Sequence, residues 1–189
     1  MVGSGCSKVR GVAQWHRSDG TRERPKIVQA AIHAPGRRGR RSDRPLDAQR
    51  LFAKVKAIAD TGFLVAFGNR RDLHHKWALE IAQQVTEPLL TCEAVLAETA
   101  FHLGSASLAL AFVQDGLVRP AFLAADHIPR LTELAARYAD RTPDLADLCL
   151  IRLSELYPKH PVITTDVGDF RIYRRGRREA IPLIHPPKL

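Results

Sequence analysis

Cysteine is scarce in this chain of 189 residues, with three in all. Cys6, Cys92 and Cys149 lie far apart and form no C-x-x-C pair. That leaves no disulfide framework and no zinc cage, and it fits a reducing compartment. There is no H-E-x-x-H, and the adjacent His74 and His75 would point to different sides of a helix, so the pair reads as surface. No G-x-x-x-x-G-K-[ST] or G-x-G-x-x-G occurs, which removes the common backbone cradles for nucleotide phosphates. Aromatic residues make up only 6%, too few to suggest extensive base stacking. No apolar run approaches the ~18 residues a membrane span needs. Nor does the basic N-terminus lead into the apolar stretch of a secretory signal. A soluble, cytoplasmic protein without membrane contact is expected.

Acidic residues are sparse too, but only at one end. The net charge is +9, and residues 1–56 hold 14 Lys/Arg against 4 Asp/Glu, whereas residues 57–189 hold 15 against 16. The high pI therefore says little about the second part. Residues 1–56 lack periodicity and are rich in Gly, Arg and Ser, as in the run from Pro35 to Arg44. Little burial is available there to offset the entropy of ordering. The segment reads as a disordered basic extension, either a solvated tail or a stretch upstream of the natural start. A phosphate-gripping arm is the alternative.

Residues 57–189 carry the patterns of one folded domain. Ala57-Ile58-Ala59 is a short apolar strand stopping at Asp60, and Thr61 to Phe67 is helical. Asp72 is placed to cap a helix running to about Gln84, and Pro88-Leu89-Leu90 reads as a second strand. Thr91 is expected to cap a helix on which Ala94, Ala97, Glu98 and Phe101 share a face. Ser105 begins another helix, ending at Gly116. A strand over Leu117–Leu123 and a helix over Asp126–Tyr138 follow. Thr142-Pro143 supplies an N-cap and a first-turn proline for a helix burying Ala146, Cys149, Leu150 and Leu153. Pro161 to Thr165 and Ile181 to Ile184 are the last strands. Strands alternating with helices imply an α/β fold with a largely parallel sheet covered on both faces.

In such sheets chemistry gathers at the carboxyl ends of the strands. Asp60 and Asp166 each directly follow an apolar strand. Glu98 sits in a helix among Val95, Leu96, Ala97, Ala100 and Phe101, where a carboxylate must be exposed, paired or metal-bound. Asp147 precedes the apolar run Leu148 to Ile151, with Asp144 one turn earlier, and both gain from the helix N-terminus. If Asp60, Glu98, Asp147 and Asp166 meet, their repulsion must raise their pKa values or draw in a cation. Ligands that are all oxygen select hard ions, Mg²⁺ or Mn²⁺, and such an ion suits phosphodiester hydrolysis. Arg171, Arg174, Arg175, Arg177 and Arg178 read either as a phosphate-binding rim beside those carboxylates or as an exposed loop.

These residues, in order, resemble a known pattern. The segments Ile58-Ala59-Asp60-Thr61, Thr91 to Glu98, Tyr138-Ala139-Asp140 leading to Asp147, and Thr164 to Phe170 are similar to the acidic motifs of PIN-domain ribonucleases. The nearest likeness is to VapC-like toxins of type II toxin–antitoxin pairs. The resemblance covers about residues 57–185 and implies a three-layer α/β/α fold and a Mg²⁺-dependent endoribonuclease. It also implies a cognate antitoxin and a homodimer. By motif position Asp60, Glu98 and Asp147 match the three principal acidic residues, and Asp166 the more variable fourth. Thr61 and Thr165 are then placed to orient the metal's waters.

Other readings fare less well. A haloacid-dehalogenase-like phosphatase wants a second Asp two residues after the first, where this chain has Gly62. A phospho-acceptor receiver domain does not suit the late acidic helix. The non-enzyme rival is a catalytically silent PIN-like binding or regulatory module, which the four filled acidic positions disfavour.

Overall fold

Ala57-Ile58-Ala59 carries no polar side chain on either face, so it can be buried on both. The structure, a computed structural model describing residues 55–187, places it at the centre as β1 (Ile58–Ala59), fully buried. On one side β1 pairs in parallel with β2 (Leu89–Thr91), which is flanked by β3 (Val118–Pro120). On the other it pairs with β4 (Val162–Ile163), flanked by β7 (Leu183–Ile184). Ile58 lies opposite both Leu90 and Val162, and Ala59 opposite Ile163. The order β3-β2-β1-β4-β7 is parallel throughout. Pro120, which lacks an N–H, is confined to an edge strand.

Parallel strands need crossover connections, and helices supply them. α1 (Thr61–Gly68) and α2 (His75–Ala82) lead from β1 to β2, and α3 (Glu93–Leu103) and α4 (Ala106–Gln114) from β2 to β3. A 3-10 turn at Ala124–His127, then α5 (Ile128–Arg137) and α6 (Leu145–Leu156), lead to β4. The last crossover holds the short α7 (Val167–Phe170) and an antiparallel hairpin of β5 (Arg174–Arg175) and β6 (Glu179–Ala180). Together these make a three-layer α/β/α sandwich. Among the described residues no helix is long and apolar enough to cross a membrane.

The core is continuous from α1 to α6. Phe63 stacks on Phe67 and meets Trp77 edge-on, and Phe67 meets Phe112. Burying side chains of this size stabilises by about 1.5–3 kcal/mol each. On α6 the expected Ala146, Cys149, Leu150 and Leu153 are all buried, joined by Leu148 and Ile151. Cys149 and Cys92, just before α3, are buried free thiols that influence each other's acidity, so two cysteines distant in sequence are neighbours.

Several local expectations are corrected. Asp72 does not cap α2; its carboxylate accepts from the His74 N–H at 2.7 Å in the turn before it. His74 and His75 are half-buried rather than surface, with His75 Nδ1 2.8 Å from the Ala66 carbonyl oxygen. Thr91 ends β2 and donates to the Ala59 carbonyl, leaving Cys92 at the N-cap position of α3 with no side-chain capping bond. Phe101 is 81% exposed and Ala97 is exposed, so the face they share is not the inward one; Val95 and Thr99 are. Thr142 does not cap α6. It adopts a left-handed φ of 47°, and Asp144 takes the cap by accepting from the Asp147 N–H at 2.8 Å. Proline at position 143 disfavours the right-handed helical region for the residue before it, which displaces the helix start by two residues. The basic extension proposed for residues 1–56 lies outside the described residues except for its end. There Val55 bridges Val85, and Lys56 pairs with Glu87 at 3.0 Å.

Candidate active site

The chain leaves β1 toward β2 and β3 in one direction and reaches β4 and β7 in the other, so the sheet has a switch point between β1 and β4. Crevices outside the carboxyl ends of strands form at such points. Here a cleft of about 350 Å³ opens, and it contains all four carboxylates read from the sequence. Asp60 stands directly after β1 and caps α1, Glu98 comes from the middle of α3, Asp147 from the first turn of α6, and Asp166 caps α7. Asp72, Asp144 and Asp169 also line it. Among the described residues the cleft is lined by no Lys or Arg; His102, 3.7 Å from Glu98, is its single cation-capable side chain.

Hydroxyl groups set the orientation of these acids. Asp60 is 7% exposed and accepts from the Thr61 N–H and from the Thr164 hydroxyl, both at 2.6 Å. The same Thr164 oxygen accepts from the Asp166 N–H at 2.8 Å, so one threonine couples both strand-end aspartates. Thr61 donates to Glu98 at 2.7 Å. Tyr173, buried in the core, donates to Asp147 at 3.1 Å. Gly62 leaves room that no other residue would. A Cβ there would stand 2.2 Å from the Thr165 hydroxyl oxygen and 3.4 Å from Asp60 Oδ2.

Two carboxyls are driven toward neutrality. Burial pushes Asp60 up from 3.8 to about 6 and the Glu98 charge adds to it, against hydrogen bonds from Thr164 and the N–H groups of Thr61 and Gly62. Burial, then the charge of Asp144, pushes Asp147 up to about 7, with Asp60 and Asp169 contributing and Tyr173 opposing. Desolvation and crowded like charge thus leave a concentrated negative site that no Lys or Arg among the described residues lines. Among the described residues no three acid, imidazole or thiol groups stand ready-made around a metal position. The donors nevertheless fit a hard cation in kind, since they are oxygen atoms carrying uncompensated charge.

The sequence pattern of the PIN domain family matches residues 57–175. The chain belongs to the PIN domain family. This is a nuclease-type domain, and the match begins one residue before β1 and ends on β5, spanning every acidic residue of the cleft. No curated protein matches the chain.

Other parts of this candidate site were not legible in the sequence. Thr165 lines the cleft as expected, but it is Thr164 that bonds to the acids; its local signal was a hydroxyl two residues before an Asp N–H, a common turn pattern. Tyr173 gave no signal, lying 26 positions from the residue it holds. The arginine rim is corrected in part. Arg174 donates to the backbone carbonyls of Arg171, Ile172 and Tyr173. Arg175 is buried against the Pro158 carbonyl and Glu179, leaving Arg171, Arg177 and Arg178 exposed.

Proposed function

We propose that this PIN domain is a metal-dependent endoribonuclease and the toxin of a toxin–antitoxin pair. The observation that carries the nuclease reading is the convergence of seven carboxylates on one cleft at the switch point of the sheet, lined by no Lys or Arg among the described residues. Asp60, Glu98, Asp147 and Asp166 would hold Mg²⁺ or Mn²⁺, because oxygen donors select hard ions. When bound, the ion supplies Lewis-acid stabilisation of the phosphoryl charge and makes water a better nucleophile. The chain's own residues preorganise the acids: Thr164 fixes Asp60, Thr61 fixes Glu98 and Tyr173 fixes Asp147. The toxin role, a cognate antitoxin and a homodimer rest on the resemblance of the ordered motifs to VapC-like toxins.

The test is cleavage of RNA by the full chain with Mg²⁺, with EDTA, and by Asp60→Asn with Mg²⁺. Cleavage by the metal-loaded wild type alone supports the reading. A silent PIN-like binding module is the competing interpretation, favoured by the lack of a ready-made metal arrangement among the described residues. Folded protein that binds RNA without cutting it, with Mg²⁺ and with Mn²⁺ in its place, would establish that rival. The toxin role is tested separately by induced expression without a partner, and unchanged growth would refute it.

A further inference from the structure

A second cleft, of about 380 Å³, lies away from the carboxylates, between α5, the C-terminal end of α6 and the β5–β6 hairpin. Arg130, Arg152 and Arg175 line it, with Glu155 and Glu179. Glu155 is the hub. It accepts from Arg130 at 2.6 Å and 3.2 Å, from Arg152 at 3.0 Å, and from the Gly176 N–H at 3.1 Å. Arg130 and Arg152 thus share one largely buried carboxylate and Arg175 pairs with Glu179, while Glu133 and Glu179 are each 66% exposed and screened by solvent. Each guanidinium carries five N–H donors, more than these carboxylates and carbonyls take up. Arg175 is the most confined, at 6% exposure, and its Nε–H is buried with no acceptor. A buried donor without a partner is unfavourable, so this guanidinium gains by turning toward an anion.

The surroundings point to a polyanion. Nine of the twelve described arginines fall between positions 130 and 178, and Arg137 ties α5 to the hairpin through the Gly176 carbonyl. Along α6, the step from Asp147 to Glu155 is about 12 Å at 1.5 Å per residue. The basic cleft therefore flanks the acidic one at a distance a short stretch of nucleic-acid backbone spans. Acids that orient chemistry and arginines that hold phosphate are kept apart, so neither neutralises the other.

We propose that the Arg130–Arg152–Arg175 cleft is a phosphate-binding site that anchors the RNA strand beside the acidic cleft; this rests on the ribonuclease reading. Planar guanidiniums suit phosphate because they donate two parallel hydrogen bonds. Such an anchor gives affinity and register without base choice.

The test uses the full chain in EDTA, so that binding is read without cleavage. Arginine Nε–H signals are followed by NMR while inorganic phosphate, and separately a single-stranded RNA, is added. The site requires both ligands to shift the Arg175 and Arg152 signals. Phosphate without RNA would assign the cleft to a small phosphate and overturn the RNA anchor. No shift from either would leave an ion-pair network only, which also overturns it. In parallel, Arg152→Gln should reduce the slope of log affinity against log salt by about 0.7 for each phosphate the variant no longer neutralises. Arg119→Gln, an equal charge change on the exposed edge strand, should leave the slope unchanged. Equal effects of the two variants would overturn the proposal. The NMR arm uses wild-type protein and stands even if Arg152→Gln fails to fold. RNA binding here without any metal-dependent cleavage would refute the nuclease reading and leave the anchor intact.

Discussion

Replacing Asp60 by Asn should stabilise the metal-free protein while abolishing its proposed activity. Asp60 is buried and its pKa is raised from 3.8 to about 6, chiefly by desolvation. A carboxyl whose folded pKa is raised contributes stability below its unfolded pKa and loses it as pH rises through the folded one. At 1.36 kcal/mol per tenfold change in acidity, the ionised side chain costs roughly 3 kcal/mol near pH 8 and about half that near pH 5. Asn removes this cost but disturbs one hydrogen bond. Its amide would donate to Thr164, whose hydroxyl already accepts from the Asp166 N–H, and the threonine proton is then left without its acceptor. That disturbance costs about 1 kcal/mol. The net gain is therefore about 2 kcal/mol near pH 8 and close to zero near pH 5, or a rise in Tm of about 4–8 °C at the higher pH. Thermal unfolding followed by circular dichroism in EDTA measures it. A variant no more stable than wild type near pH 8, or a gain indifferent to pH, would refute the account of a desolvated, uncompensated carboxylate.

Three further expectations rest on single interactions. Tyr173→Phe removes the hydrogen bond that holds the Asp147 pKa down. The acidic limb of the pH–rate profile should therefore move to higher pH, and an unmoved limb would separate Tyr173 from the site. Gly62→Ala drives a methyl group into the Thr165 hydroxyl; a destabilisation of about 1–3 kcal/mol is expected, and a neutral result in denaturant unfolding would show that Thr165 can swing away. Glu155→Gln weakens charged hydrogen bonds to Arg130 and Arg152, each worth about 1.5–3 kcal/mol. Burial works against the Glu155 charge, but these partners and the Gly176 N–H outweigh it and hold the pKa below its ordinary value. The stability it contributes is present above that ordinary value and disappears as pH falls through the lowered one. Urea unfolding should show the wild-type advantage at neutral pH and its erosion in acid.

Much of the site was legible because it follows strands. Asp60 ends an apolar run too uniform to be anything but a buried strand, and such a strand in a parallel sheet aims its carboxyl end at the crevice. Asp147 was found from the apolar run after it, and the α6 core residues from their spacing. Glu98 was found as a charge on a helix that has to bury much of its surface. Helix starts were less legible: a cap depends on the φ of one or two residues, and Thr142 adopts a rare one ahead of Pro143.

Local pattern and chain order thus determined the α/β class and the parallel sheet, and pointed to four acids that the fold brings into one cleft, because periodicity and strand ends are properties of neighbouring residues. Tertiary structure alone decided what holds and surrounds those acids. Thr164 joins Asp60 across 104 positions, and Tyr173 reaches Asp147 across 26. Arg175, one of the five arginines of the expected rim, is drawn instead into a second cleft by Pro158 and Glu179. Hydrogen-bond partners and desolvation depend on which distant segments the fold packs together, and so do the raised pKa values of Asp60 and Asp147.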